Sequence, residues 1–409
     1  MTLPDSNNTE ILTTIVRRCM TIQEVTWGTT QDPFEVRFRG RLLLESDEAY
    51  DLLAEKTRPH TLTPILQESE GQHIILLVKG LIEPGPSNPW INLALFLATL
   101  LSMLLAGAAY SYKPPTDMTE MEIYLTLFGK LDSGISFAVS LLSILLAHEF
   151  GHYLAARYHK TPVTLPYFLP LPLLGGFGTL GAAIRLKAPP KNKRVLLDIG
   201  IAGPLAGLVV AIPIVLYGLS LSELGTIPEI FPPGEGTVLE GNSLLYLGLK
   251  YIAHGKLLPM PLSYGSLPAP LYWLRYLFTG LPLPFGAEDV LLHPIAWAGW
   301  AGLLVTAINL IPTGQLDGGH TLYSLFGDKV QRIRPFILLL VALMGFVYSG
   351  WWLWLAIIYF LGRNHAQPLD QVTRLDPTRR TLAILTLVIF ILVFTPVPLR
   401  LMFNAAPGL

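Results

Sequence analysis

Residues Phe137–Ala156 read FAVSLLSILLAHEFGHYLAA. Twenty largely apolar residues at about 1.5 Å rise each cross a hydrocarbon core of about 30 Å, so this stretch predicts a transmembrane helix. Three ionisable side chains, His148, Glu149 and His152, lie inside it. A charge within an apolar span costs about 2.5–3.5 kcal/mol on insertion scales, so such residues mark function by default. On a helix, residues four apart share one face, which lets His148 and His152 grip one Zn²⁺. Glu149, beside the first ligand, is placed to take a proton from a water that zinc has acidified toward a pKa of about 7. The H-E-x-x-H spacing is the metalloprotease pattern of two ligands plus a general base. A satisfied polar cluster between helices is the structural alternative, but it does not require this spacing.

The rest of the chain fits a polytopic membrane protein. Of 409 residues, 51% are hydrophobic and only 14% charged, and mean hydropathy is +0.49, against roughly 25% charged residues in soluble domains. A net charge of −1 gives no footprint for nucleic acid. The lone cysteine, Cys19, excludes an intrachain disulfide and a cysteine zinc site. Further apolar runs are Ile91–Tyr110, Ile199–Leu219, Pro294–Ile311, Phe336–Leu361 and Leu382–Leu401. Phe336–Leu361 reads as one tilted helix or as a hairpin about Ser349-Gly350. The expected fold is a polytopic α-helical membrane protein of about six or seven transmembrane helices. Between Leu219 and Pro294, Pro and Gly interrupt every pattern, and Pro270–Thr279 reads as a short interfacial helix.

Residues 1–88 are expected to form a small soluble α+β domain, and 89–409 the transmembrane domain. Met1–Glu10 is polar and does not read as a signal peptide. Phe34–Gly40 alternates as a half-buried strand does, and Thr63–Gln67 and His73–Val78 read as strands around the turn Glu70-Gly71-Gln72. Ser46 is expected to cap a helix over Asp47–Ala54. Glu83–Pro89 is a linker. Arg157, Lys160, Lys187, Lys191, Lys193 and Arg194 cluster after the H-E-x-x-H span, which assigns that side to the cytoplasm. Glu223, Glu229, Glu235 and Glu240 assign the following stretch to the outside. Arg363, Arg374, Arg379 and Arg380 also favour the inside, and so the hairpin form of Phe336–Leu361.

A catalytic zinc needs a third protein ligand and an open position. Asn309-Leu310-Ile311-Pro312-Thr313-Gly314-Gln315-Leu316-Asp317-Gly318-Gly319-His320 ends an apolar span. Asp317, flanked by glycine, is the candidate ligand. His320 is a rival, and an N-cap for a helix starting near Thr321 is the structural alternative for Asp317. Charge places both ligand segments near the cytoplasmic side.

Together, His148–His152 and the segment Asn309-Leu310-Ile311-Pro312-Thr313-Gly314-Gln315-Leu316-Asp317-Gly318 resemble the site-2 protease family of intramembrane metalloproteases, which pairs H-E-x-x-H with a later N-x-x-P-x-x-x-L-D-G. The resemblance covers about residues 90–380. It implies zinc held by His148, His152 and Asp317, Glu149 as base, and Asn309 as donor to the substrate carbonyl or oxyanion. Gly176-Phe177-Gly178-Thr179 resembles the family's membrane-embedded loop, and Asp198–Gly207 its third-span signature. The layout is nearer the bacterial and chloroplast members with a soluble N-terminal domain and no PDZ domain. Where their later basic stretch carries a His-Pro pair, this chain reads His365-Ala366-Gln367-Pro368.

The function this implies is hydrolysis of a peptide bond within or near the transmembrane segment of membrane-protein substrates. The implied partners are those substrates and the bilayer. The implied location is a bacterial cytoplasmic or a thylakoid-type plastid membrane, with the active site near the cytoplasmic side. An extended loop near Gly175–Arg185 is expected to offer a strand edge to an unwound substrate. Two other readings are a metal or ion transporter, whose paths also use intramembrane His and Asp, and a non-catalytic relative that binds membrane proteins. The first leaves Glu149 without a role and expects repeated halves that this sequence lacks; the second leaves an intact ligand set unexplained.

Overall fold

A computed structural model describes residues 6–29, 31–112, 118–171, 176–232, 236–361 and 367–403. Gly175, Glu235, Arg363, His365 and Ala366 lie outside them. The first 80 residues build one sheet against two helices. Helix α1 (Ser6–Arg17) leads into β1 (Met20–Trp27) and β2 (Val36–Leu42). Helix α2 (Ser46–Thr57) leads into β3 (Leu62–Ser69) and β4 (Gln72–Lys79). The sheet order is β1-β2-β4-β3, antiparallel throughout. Val36 and Phe38 point into a core with Leu12, Val16, Leu53, Leu66, Ile75 and Leu77; Arg37 and Arg39 take the opposite face, as period-two alternation requires. Glu70 and Gly71 both take positive φ and close the β3–β4 hairpin. Cys19 is buried here, and desolvation pushes its thiol up to about 11, so it is protonated and inert. Ser46 does not cap α2. It is the first helical residue, after Glu45, and its hydroxyl shares a 2.7 Å hydrogen bond with Thr373 instead. A tertiary partner outcompetes the local cap.

Helix α3 (Pro89–Ser111) starts behind Asn88, whose side chain accepts from the Trp90 N–H. A short α4 (Glu120–Phe128) follows a Thr119/Glu122 capping box. Next come α5 (Ile135–Tyr158), the hairpin strands β5 (Tyr167–Pro170) and β6 (Thr179–Ala183), and α6 (Lys193–Ser220). Helices α3, α5 and α6 are long and apolar enough to cross a membrane. The region from Leu221 to Leu292, where Pro and Gly obscured the pattern, holds β7 (Glu223–Thr226), β8 (Gly236–Glu240), α7 (Leu244–His254), α8 (Ala269–Thr279) and β9 (Glu288–Leu291). Strand β7 pairs with β9. A fully buried Lys250 bridges Glu240 at 2.7 Å and Asp289 at 3.2 Å, tying α7 to both neighbouring strands.

The expected span Pro294–Ile311 is shorter than read and is broken. Helix α9 (Pro294–Asn309) stops at Asn309, and after a seven-residue link α10 (Asp317–Phe326) begins. Helices α11 (Val330–Gly345) and α12 (Gly350–Leu361) form a hairpin. The bend at residues 346–349 allows Gly345 to lie against Trp352, where a Cβ would meet the indole at 2.5 Å. The expected last span, Leu382–Leu401, is displaced. Helix α13 runs Pro377–Val393, and Leu399–Phe403 leaves it as β10, pairing with β8.

The centre of the molecule is α5, α6 and α9, packed through Phe137, Leu141, Ile144, Leu145, Val215, Trp300 and Leu303. Glycines bring the helices close: a Cβ on Gly302 would lie 2.6 Å from Ile144, and one on Gly299 2.6 Å from Val215. The N-terminal sheet docks through a seam of main-chain bonds. Leu66 N–H donates to Leu369 O at 2.8 Å and Gln371 N–H to Leu66 O at 2.9 Å, while Asp370 N–H donates to Lys191 O at 2.7 Å. Lys191 adds ion pairs to Asp47 and Asp51 at 2.7 and 2.8 Å.

Candidate metal centre

Helix α5 carries His148, Glu149 and His152 on its buried side, each under 7% exposed. The two Nε2 atoms are 3.2 Å apart. Asp317, the first residue of α10, brings Oδ2 within 3.3 Å of both. All three donor atoms lie within 4.8 Å of one another. Asp317 is therefore not a cap before a helix at Thr321; that helix begins at Asp317 itself, after Leu316. His320 lines the same cavity but stands outside the three-donor group. Asn309, at the end of α9, places Nδ2 3.3 Å from His148 Nε2. Both halves of the broken span thus end at the site. Irregular backbone at membrane depth is tolerated where it lines such a cavity.

The glycines at this break are required by close approach. A Cβ on Gly318 would sit 2.0 Å from Leu310 O, and one on Gly319 2.5 Å from Gly314 O. These contacts fold the 310–316 link back onto the first turn of α10 and aim Asp317 at the imidazoles.

Helix α6 supplies the wall behind the histidines. Ile199 O accepts from His152 Nδ1–H at 2.7 Å, which fixes the tautomer and leaves the Nε2 lone pair facing Asp317 and His148. Gly203 and Gly207 make room for the rings: a Cβ on Gly203 would fall 2.1 Å from His152 Nε2, and one on Gly207 3.3 Å from His148. Next to Ile199, Asp198 is gripped by Arg379 Nη2 at 2.6 Å and His159 Nε2 at 2.9 Å. This clamp joins the end of α5, the start of α6 and the start of α13.

A cavity of about 210 Å³ opens onto the site. One wall is Ala182, Ala183 and Ile184, at the end of β6. Glu149 and Ile184 line this cavity together. Strand β6 pairs with β5 on one side only among the described strands. The hairpin is seated by Asn92 Nδ2, which donates to Leu165 O and Pro166 O at 2.9 Å. It is also seated by Gly178, where a Cβ would meet Ser102 O at 2.4 Å, and by Phe177 against Trp297 and Trp300. The roles of Ile199 O and the Ala182–Ile184 wall were invisible to residue-type reasoning, because backbone groups perform them. Only the small-residue run Asp198–Gly207 and the glycine-rich loop pointed toward them.

A buried His–His–Asp donor set beside a glutamate, at the break of an apolar span, defines the class: a membrane-embedded metallopeptidase scaffold. The sequence profile of Peptidase family M50 matches residues 136–347, and the chain belongs to that family. The resemblance to site-2 proteases stands on the same match. The chain is similar to "Probable zinc metalloprotease EGY1, chloroplastic" of Arabidopsis thaliana, at 30% identity over 79% of this chain and 56% of that protein. The protein of the same name in Oryza sativa subsp. japonica is 30% identical over 91% of this chain and 65% of its own length. "Probable zinc metalloprotease EGY2, chloroplastic" of Oryza sativa subsp. indica is 24% identical over 90% of this chain and 63% of its length. The chain thus spans between half and two thirds of these curated relatives. No solved structure matches it.

Proposed function

We propose that the chain is an intramembrane zinc metalloendopeptidase that cuts membrane-protein substrates within or near their transmembrane segments. The observation that carries this is the convergence of His148, His152 and Asp317 donors within 4.8 Å, with Glu149 lining the same cavity. The donor set suits zinc: two imidazoles, one of them oriented by a backbone carbonyl, and one carboxylate, with a cavity left for a further ligand. His148, His152 and Asp317 hold the metal. Bound there, zinc supplies Lewis-acid polarisation and acidifies water toward a pKa of about 7. Glu149 takes a proton from the attacking water on its carboxylate and passes it to the leaving amide nitrogen. Asn309 Nδ2 donates to the scissile carbonyl oxygen and holds it as charge develops. A transmembrane substrate arrives as a helix with its amides already paired, so it must unwind first. The free edge of β6 is suited to pair with the unwound segment beside Glu149. A transporter leaves Glu149 idle, and membership of a peptidase family weighs against that reading.

Residues 1–88 act as a soluble domain on the active-site side. Helices α3, α5, α6, the broken α9–α10 and α13 supply five crossings, and a count of six or seven requires the arms of the α11–α12 hairpin to be added to them. Helices α11 and α12 have 16 and 12 residues, so each arm reaches only about 24 or 18 Å and the hairpin enters without a full crossing per arm. The basic segment Lys187–Arg194 supports an orientation of that side toward the cytoplasm, or toward the stroma for a chain in a plastid membrane, the relatives being named chloroplastic. Substrates are then cut near that end.

Cleavage of a reconstituted transmembrane substrate by the full chain tests the reading. Wild type should carry about one zinc per chain and cleave. Glu149→Gln should keep the zinc and lose at least a hundredfold in rate, since it removes the base and no ligand. Undiminished cleavage by Glu149→Gln would refute it. Impermeant-thiol labelling of cysteines at positions 191 and 238, in a Cys19→Ala background, tests the sidedness; labelling of position 191 from outside would invert it.

A further inference from the structure

Outside the metal centre, a cavity of about 490 Å³ opens where α6, α10 and α13 end on the same side as the N-terminal sheet. Three cations line it: Lys193, Arg374 and Arg380. None forms an ion pair among the described residues, although Asp198 and Asp376 both pair with Arg379 close by. Asp328, Asp370 and Glu68 are the carboxylates that act on Lys193 through space. None of the three lines the cavity or lies within ion-pair distance of Lys193. The Lys193 ammonium lies over Gly327, where a Cβ would be 3.4 Å from Nζ. The remaining lining is mostly apolar, including Leu325, Phe326, Ile384 and Leu387.

The order of these groups along α13 carries the inference. Ile384 and Leu387 follow Arg380 by four and seven residues, so all three share one helix face. At 1.5 Å per residue they lie about 6 and 10 Å further along the axis. That axis leads away from the polar N-terminal sheet and into a stretch whose outer face is Leu385, Val388 and Ile391, each at least 44% exposed. One cavity therefore offers three cations and, about one and two turns further along α13, the aliphatic side chains of Ile384, 48% exposed, and Leu387, half-buried. The geometry points to a binding site for one anionic phospholipid, its phosphate among Lys193, Arg374 and Arg380 and its proximal acyl chain along Ile384 and Leu387. A free anion would use the cations and leave the apolar floor exposed to water. A zwitterionic lipid would use the floor and bring an ammonium against three positive charges. The volume lies within the usual range of small-molecule sites, and basic pockets between membrane helices are suited to anionic headgroups.

Native mass spectrometry of the detergent-purified full chain, given phosphatidylglycerol or phosphatidylcholine, tests this. A Lys or Arg at an anionic headgroup is worth about a fivefold preference. Three predict about a hundredfold preference for phosphatidylglycerol, with one lipid retained per chain. Arg374→Gln with Arg380→Gln should lower retention about 25-fold. Arg332→Gln, a cation outside the cavity, should leave it unchanged. Ile384→Gln with Leu387→Gln should lose the lipid with all three cations intact. Thermal melts report whether each variant folds. Should the arginine pair fail to fold, Arg374→Gln alone carries the comparison at about fivefold, since its main-chain carbonyl keeps the bond from Arg194. Equal retention of the two lipids, or unchanged retention in the arginine variant, would overturn the site. So would full displacement of the lipid by millimolar inorganic phosphate, which would leave a free-anion site.

Discussion

Replacing Gly203 with alanine should destroy the metal centre while leaving the fold in place. The new Cβ would stand 2.1 Å from His152 Nε2, 2.4 Å from Cδ2 and 2.5 Å from Cε1. Ordinary contact begins near 3.4 Å, so the ring must move by about 1.3 Å, whereas metal sites tolerate about ±0.2 Å in ligand distance. The ring has nowhere to go in its present orientation, because Ile199 O holds Nδ1 at 2.7 Å. The helices cannot part easily either: Gly151 faces Ala202 O, where a Cβ would lie at 2.5 Å. His152 must therefore rotate out of the donor set or α5 must shift. Either outcome should weaken zinc affinity by at least a hundredfold, beyond the 10–100-fold typical of losing an orienting partner. Cleavage should fall in proportion. Overpacking of this size costs about 1–3 kcal/mol of stability, so the protein should still fold. Chelator competition measures the affinity, and a melt measures the fold. Gly207→Ala, with 3.3 Å to His148, should show a milder loss. Gly248→Ala, in mid-α7 with nothing within 4 Å of its Cβ, should bind zinc normally and gain about 0.5–1 kcal/mol. Wild-type zinc affinity in Gly203→Ala would refute the reasoning.

Asp376 caps α13 by accepting from the Arg379 N–H, and the Arg379 guanidinium beside it holds its carboxyl below the usual 3.8. A depressed folded value means the cap's contribution is complete above 3.8 and fades as pH falls through the folded value. Asp376→Asn should flatten this acid limb in pH-dependent melts, and Asp376→Ala should cost about 1 kcal/mol at neutral pH; an acid limb identical to wild type would exclude the role. Asp370 is fully buried and accepts from the Val372 and Thr373 N–H groups and the Thr373 hydroxyl, inside the seam with β3. Asp370→Ala leaves those donors unpaired, at about 1–3 kcal/mol. Hydrogen exchange at Leu66 and Gln371 should accelerate and proteolysis within 81–88 should increase, with zinc content unchanged; exchange at wild-type rates would show that the seam does not depend on it.

What could be read from the sequence followed the physics of each segment. Helices α3, α5 and α6 are continuous apolar runs, and their cores fall where hydropathy placed them. The hairpin around Glu70-Gly71 was equally legible, because its turn residues and strand alternation agree. The H-E-x-x-H helix and the L-D-G segment were recognisable as chemistry, since their residue types are costly in an apolar setting. Three features were not legible. Strand β10 pairs with β8 across about 160 residues, so Leu399–Phe403 looks locally like the end of an apolar span. Ser46 has the residue type of a cap but is drawn to Thr373, a contact no local pattern encodes. The break between Asn309 and Asp317 was read as the end of a span, although the chain resumes as a helix toward the same face.

That break explains why the site stands where it does. A continuous helix would bury its own amides and present Asn309 and Asp317, eight positions apart, on separate turns about 12 Å distant. Interrupting the helix folds Gly318 and Gly319 against the preceding turn and brings both side chains to one imidazole, His148. The exposed backbone polarity this creates is acceptable only beside a cavity, and the cavity is where a hydrolase needs water. On the opposite wall, α6 has given up side chains at Gly203 and Gly207 so that the histidine rings fill the space a Cβ would take. Ile199 then contributes a backbone carbonyl that no substitution of its own side chain removes, so the tautomer of His152 depends on the path of α6. The Arg379–Asp198–His159 clamp sets that path at its second turn. The geometry of the His148–His152–Asp317 donor set therefore depends on α13, a helix that contributes none of the three donors, and loosening the clamp should loosen His152 first.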